Sequence, residues 1–129
     1  MRIAWAVFFA VSAIALASAP TGARAASLEG SWSGTGTVSY KGSTDQVRCR
    51  VRYTRAGGSA YTYTSTCATE NGRYDLVGQI SSSGGNRYTG SVESTSHKGG
   101  GRVLLIHNGR NLSVTVTSNI GSAKLRFSR

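Results

Sequence analysis

Proline is nearly missing from this chain of 129 residues, with Pro20 its one example, and methionine occurs once. Carboxylates are scarce too: five acids stand against fifteen lysines and arginines. Glu29, Asp45, Glu70, Asp75 and Glu93 fall mostly at turns or on outward strand positions. None forms a recognisable pair of the kind glycoside hydrolysis requires. The two histidines, His97 and His107, have neither an adjacent nucleophile nor an evident orienting carboxylate. The sequence thus supplies no catalytic residues, and the expectation is a protein that is not an enzyme. Cysteine is limited to Cys49 and Cys67. A metal site built from them would have to gather His97 or His107 from unrelated strands, so neither metal nor cofactor is expected. Beyond the first residues, no segment spaces its apolar residues as a helix would.

The one long apolar run is Ile3 to Ala19, behind the positive start Met1-Arg2. It falls short of the roughly 20 residues of a spanning helix. With Ala23-Arg24-Ala25 as a small-x-small site, residues 1–25 read as a signal peptide cleaved before Ala26. No cysteine follows the run closely, so a lipid anchor has no support in the sequence. Residues 26–129 then form a single domain, periplasmic or secreted, where two cysteines pair as a disulfide. Without Arg2 and Arg24, thirteen basic residues face five acidic ones, a net charge of +8. Outside the cytoplasm that charge points away from nucleic acid and toward envelope polymers, acidic lipids and acidic proteins.

Short alternating runs between turn signals are the all-β pattern. The stretch from Val47 to Cys67 folds back at Gly57-Gly58-Ser59, placing Cys49 opposite Cys67, Val51 opposite Ser65 and Tyr53 opposite Tyr63. One face carries Val47, Cys49, Val51, Tyr53, Tyr61 and Tyr63. The other carries Arg48, Arg50, Arg52, Thr62, Thr64 and Thr66. Two Asn-Gly pairs signal type I′ hairpins. Asn71-Gly72 predicts Cys67 opposite Leu76 and Tyr63 opposite Ile80; Asn108-Gly109 predicts Leu105 opposite Leu112. Residues 41–45, 81–86 and 93–101 read as loops. Eight strands in a meander can close into a small antiparallel barrel, with a two-sheet β-sandwich as the alternative. Polar residues outside and apolar ones inside are the reverse of an outer-membrane barrel, so the chain is not membrane-spanning.

All six tyrosines and Trp32 fall on the inner face. Trp32, Tyr53, Tyr61, Tyr63, Ile80, Tyr88, Leu112 and Phe127 gather at a plugged end, and Tyr40, Tyr74 and the disulfide at the other. Small inner residues such as Gly34, Gly78 and Gly90 leave room either for large neighbours or for a cavity. A ligand or protein at the open end would meet Tyr40, Tyr74, His97 and Lys98. On the outside, Arg48, Arg50 and Arg52 form a row about 7 Å apart, able to clamp phosphate or carboxylate groups. Arg73, Arg87, Arg102, Lys124 and Arg126 add scattered charge.

Leu28-Glu29-Gly30-Ser31-Trp32, a Gly-x-Trp entering the first strand of an eight-stranded meander, resembles the calycin-type barrels. That group spans lipocalins, avidins and small bacterial protease-inhibitor barrels. The resemblance implies that Trp32 packs at a closed end. Through Leu28 to Val38, Arg48-Cys49-Arg50, Cys67-Ala68-Thr69 and Gly121 to Arg129, the chain is also similar to small exported proteins of Gram-negative bacteria, which implies a periplasmic setting. The expected function is non-catalytic binding of a small ligand or a protein partner by the open-end loops. The alternative is an envelope-associated protein that binds anionic glycan or lipid through Arg48, Arg50 and Arg52.

Overall fold

A strand that alternates apolar and polar side chains has one face to hide, and a sheet closed on itself hides it without leaving an open edge. The computed structural model of the chain describes residues 27–95 and 99–129, which form eight strands and no helix. These are β1 (Gly30–Tyr40), β2 (Ser43–Gly57), β3 (Ala60–Thr69), β4 (Gly72–Gly84), β5 (Arg87–Ser94), β6 (Gly100–Asn108), β7 (Asn111–Thr117) and β8 (Gly121–Ser128). Each strand pairs antiparallel with the next. β8 returns to β1 from Ser33↔Ser128 to Tyr40↔Gly121, so the meander is a closed barrel and not a sandwich. The expected signal peptide lies outside the described residues.

The cysteine hairpin has the register that its symmetry about Gly58 predicts: Cys49↔Cys67, Val51↔Ser65 and Tyr53↔Tyr63. A disulfide joins Cys49 to Cys67 across 18 residues, their Cα atoms 4.1 Å apart. The two Asn-Gly hairpins differ from expectation by two residues, in opposite directions. In the first, Glu70 and Asn71 make the turn and Gly72 pairs with Thr69, bringing Cys67 opposite Tyr74 and Tyr63 opposite Gly78. The Thr69 hydroxyl accepts the Asn71 N–H at 3.1 Å, a local side-chain turn that competes with the type I′ geometry. In the second, Asn108 stays in the strand opposite Asn111, and Gly109-Arg110 turns, so Leu105 meets Val114. Gly109 has φ +62° while Arg110 does not enter the left-handed region, the type II′ pattern. Both shifts are even, so no side chain changes face.

All three expected loops are shorter than predicted. Lys41 and Gly42 alone connect β1 to β2, both with positive φ, as a type I′ turn requires. Residues 81–84 continue β4, leaving Gly85-Asn86 as the turn, with an irregularity between Ser82 and Gly84. The longest connection, residues 95–99, joins β5 to β6.

Candidate functional site

The lumen is occupied by the protein's own side chains. Trp32, Tyr53, Tyr61, Tyr63, Ile80, Tyr88, Leu112 and Phe127 are all buried, as is the Leu28 that precedes β1. Tyr53 meets Tyr61 edge-on and Tyr63 at a tilt, with ring centroids 6.5 and 5.6 Å apart, arrangements that suit the ring quadrupole. Burial pushes the Tyr53 and Tyr63 phenols well above their ordinary ionisation range, Tyr63 adding to the effect on Tyr53. Tyr63 therefore keeps its proton and donates it to the Ser91 carbonyl at 2.8 Å. The inner glycines do not mark a cavity. A methyl group on Gly78 would overlap the Ser91 carbonyl oxygen and the Tyr63 ring, and one on Gly90 the Gln79 carbonyl oxygen. Absent side chains there let neighbouring strands approach at the tight corners of the wall.

A clamp that sequence reasoning missed seals this end. Trp32 Nε1–H donates to the Leu28 carbonyl at 2.9 Å, tying the residues just before β1 to the ring. Arg129 stacks on Trp32, 4.1 Å from the ring centroid, and donates to the carbonyls of Glu29 and Ser27 at 2.7 and 2.8 Å. Arg55 donates to the Tyr61 hydroxyl at 3.2 Å. His107, expected only beside a turn, is buried edge-on against Trp32, and its Nε2–H donates to the Gly109 carbonyl at 2.8 Å. These partners come from residues 27–32, the last residue and two hairpins, and the closed topology unites them.

At the opposite end, Tyr40 is 47% exposed beside Lys41, and Ile120 is 54% exposed. Val38, Leu76, Val116 and Ala123 are half-buried below them. Tyr40 therefore stands at the rim instead of on the lining. Tyr74 lies opposite Cys67 on β4, so β2 and β3 separate it from Tyr40. His97 and Lys98 fall outside the described residues.

The outer wall carries a concavity of its own. An open groove of about 750 Å³ is lined by Arg48, Arg50, Arg52, Arg73 and Arg126, with serines and threonines between them. Its layout follows from register. The neighbours of the three β2 arginines are Thr35, Ser33 and Ser31 on β1, and Ala68, Thr66 and Thr64 on β3. None is a carboxylate, and none is large enough to cover a guanidinium. Thr35 also faces Arg126, and Ala68 faces Arg73. One line across five strands thus reads Arg126, Thr35, Arg48, Ala68, Arg73. Arg52 reaches the Ser31 hydroxyl at 3.3 Å. Arg73 and Arg126, which the sequence presents as scattered charge, belong to the same surface as the predicted row. Finding them needed the β3–β4 register and the β8–β1 closure, and neither leaves a local mark in the sequence.

Three of the five described acids serve the scaffold. Asp75 accepts from the Thr66 hydroxyl, Asp45 from the Asn71 amide, and Glu29 from the Arg55 backbone N–H. Among the described residues no three of His, Cys, Asp and Glu come together as a metal site.

No protein-family model matches the chain, and no curated protein does. Solved structures of similar shape include designed proteins. A de novo designed fluorescence-activating β-barrel is 13% identical, with TM-score 0.63 over 78% of this chain and 92% of its own. The redesigned barrel mFAP1, bound to DFHBI, is 8% identical, with TM-score 0.69 over 79% of this chain and 94% of its own. These likenesses establish the fold: a small closed antiparallel β-barrel.

Proposed function

We propose that this chain is an exported, non-catalytic binding protein that holds multiply anionic ligands on the outside of its barrel. The observation that carries the reading is the arginine groove. Five guanidiniums open onto one concavity, with hydroxyls and a methyl group, and no carboxylates, between them. Side chains spaced about 7 Å along β2 and about 10 Å across alternate strands suit several phosphate or carboxylate groups held at once. Each guanidinium offers a planar fork that matches such groups bidentately. The wall beneath is a rigid sheet, stapled by the disulfide one residue from Arg48 and Arg50. Export is supported by the leader-like first 25 residues and by the paired cysteines.

Retention on phosphocellulose tests this reading. The triple variant Arg48→Ser, Arg50→Ser, Arg52→Ser is expected to elute at much lower salt than the wild type. A control with Arg87, Arg102 and Arg110 changed to serine loses the same net charge. It is expected to stay close to the wild type. Equal loss in the two triples would reduce the effect to overall charge and contradict a built site.

Binding at the open end is the second reading. The exposed Tyr40 and Ile120 above half-buried aliphatics favour it, and mFAP1, a barrel of this shape, has DFHBI bound. It predicts a thermal shift with a small aromatic compound that Ile120→Lys abolishes.

A further inference from the structure

The arginine groove does not end at Arg52. A second depression, about 400 Å³, shares Arg52 and Thr64 with it and runs on across β3, β4 and β5. Its chemistry is different. Arg52 is the one cation in its lining, and Glu93 stands at its far side. Register arranges the polar groups in lines. Thr54, Thr62, Gln79 and Ser91 face one another across four strands, and none carries charge. The adjacent line runs Ser31, Arg52, Thr64, Val77, Glu93. From the arginine line through Arg48 to the uncharged line through Thr54 is about 20 Å along β2.

A ligand spanning both depressions meets cations at one end and hydroxyls, an amide and one carboxylate at the other. A uniformly charged polyanion does not fit that gradient, because its far end would press against Glu93. Sugar hydroxyls do fit. Each can donate to Glu93 or the Gln79 oxygen and accept from the threonines or the Gln79 amide. Resting on the arginine-wall reading, we infer that the ligand is an acidic glycan, held by its phosphate or carboxylate groups on the arginines. Its uncharged sugar units lie in the annex of Thr54, Thr62, Gln79 and Ser91.

Calorimetric titration with four probes tests this: inorganic tripolyphosphate, mannose 6-phosphate, mannopentaose 6-phosphate and unphosphorylated mannopentaose. Mannopentaose 6-phosphate is expected to bind at least about tenfold more tightly than mannose 6-phosphate, the gain of a few added hydrogen bonds. The double variant Thr62→Val, Gln79→Ala changes two exposed side chains. It should erase that gain and leave tripolyphosphate binding intact. Arg50→Ser with Arg52→Ser should weaken every anionic probe. Equal affinity for the long and short sugar phosphates, with tripolyphosphate still bound, would overturn the glycan inference and leave the arginine wall standing. Failure of tripolyphosphate to bind the wild type would overturn both.

Discussion

Tyr53 and Tyr63 are held protonated by burial, and this gives the fold a definite response to alkali. Their folded ionisation lies above the unfolded value near pH 10. The unfolded chain therefore releases protons first as pH rises, and stability falls from about pH 10 upward, having been complete below it. Each of the two contributes a slope approaching 1.4 kcal/mol per pH unit. Urea midpoints between pH 8 and 11.5 should decline at the top of that range, and Tyr53→Phe should flatten the decline. A flat wild-type profile would mean that the rings reach solvent. Tyr63→Phe also removes the bond to Ser91 and should cost about 1 kcal/mol at neutral pH. At the chain's last residue, Arg129→Ala removes a stacked guanidinium and two bonds to backbone carbonyls. A loss of about 2 kcal/mol is expected, read as a lower melting temperature. Arg129→Lys should recover only part of it, because an ammonium cannot fork.

Strands are where the sequence was most and least readable. Alternation alone assigns Trp32, the cysteines and all six tyrosines to the inner face, where every one but the exposed Tyr40 lies, and the cysteine hairpin's register follows from its symmetry about Gly58. The Asn-Gly hairpins were misplaced by two residues because a hydroxyl at Thr69 and a type II′ turn at Gly109 compete with the type I′ geometry. An even shift preserves every face and changes every cross-strand neighbour. The buried set, Leu28 and His107 apart, was therefore legible from the sequence, while the membership of the arginine groove was not. Arg73 is tied to Arg48 only through Ala68, and Arg126 only through Thr35. Tyr40 departs from its inward parity for a simple reason: it ends β1, past the last layer of core. The β2–β3 staple belongs to this scale too. Replacing Cys49 and Cys67 with serine should cost about 3 kcal/mol, the loop-closure entropy of a segment this size. Denaturant unfolding with and without reductant measures it; no change on reduction would mean that the bridge does not form.

For the molecule as a whole, the barrel is a filled scaffold whose distinctive chemistry lies outside. Aromatic rings and the Trp32–Arg129 clamp fill and seal one end, and glycines bend the wall where strands crowd. Closure then brings β8 beside β1, which adds Arg126 to the row on β2. The most direct test of this division is backbone amide shift mapping during titration with tripolyphosphate. The account predicts shifts concentrated at residues 31–35, 48–52, 64–68, Arg73 and Arg126, weakening as salt is raised. Shifts concentrated instead at the rim, around Tyr40, Tyr74 and Ile120, with the β2 arginines unmoved, would contradict it.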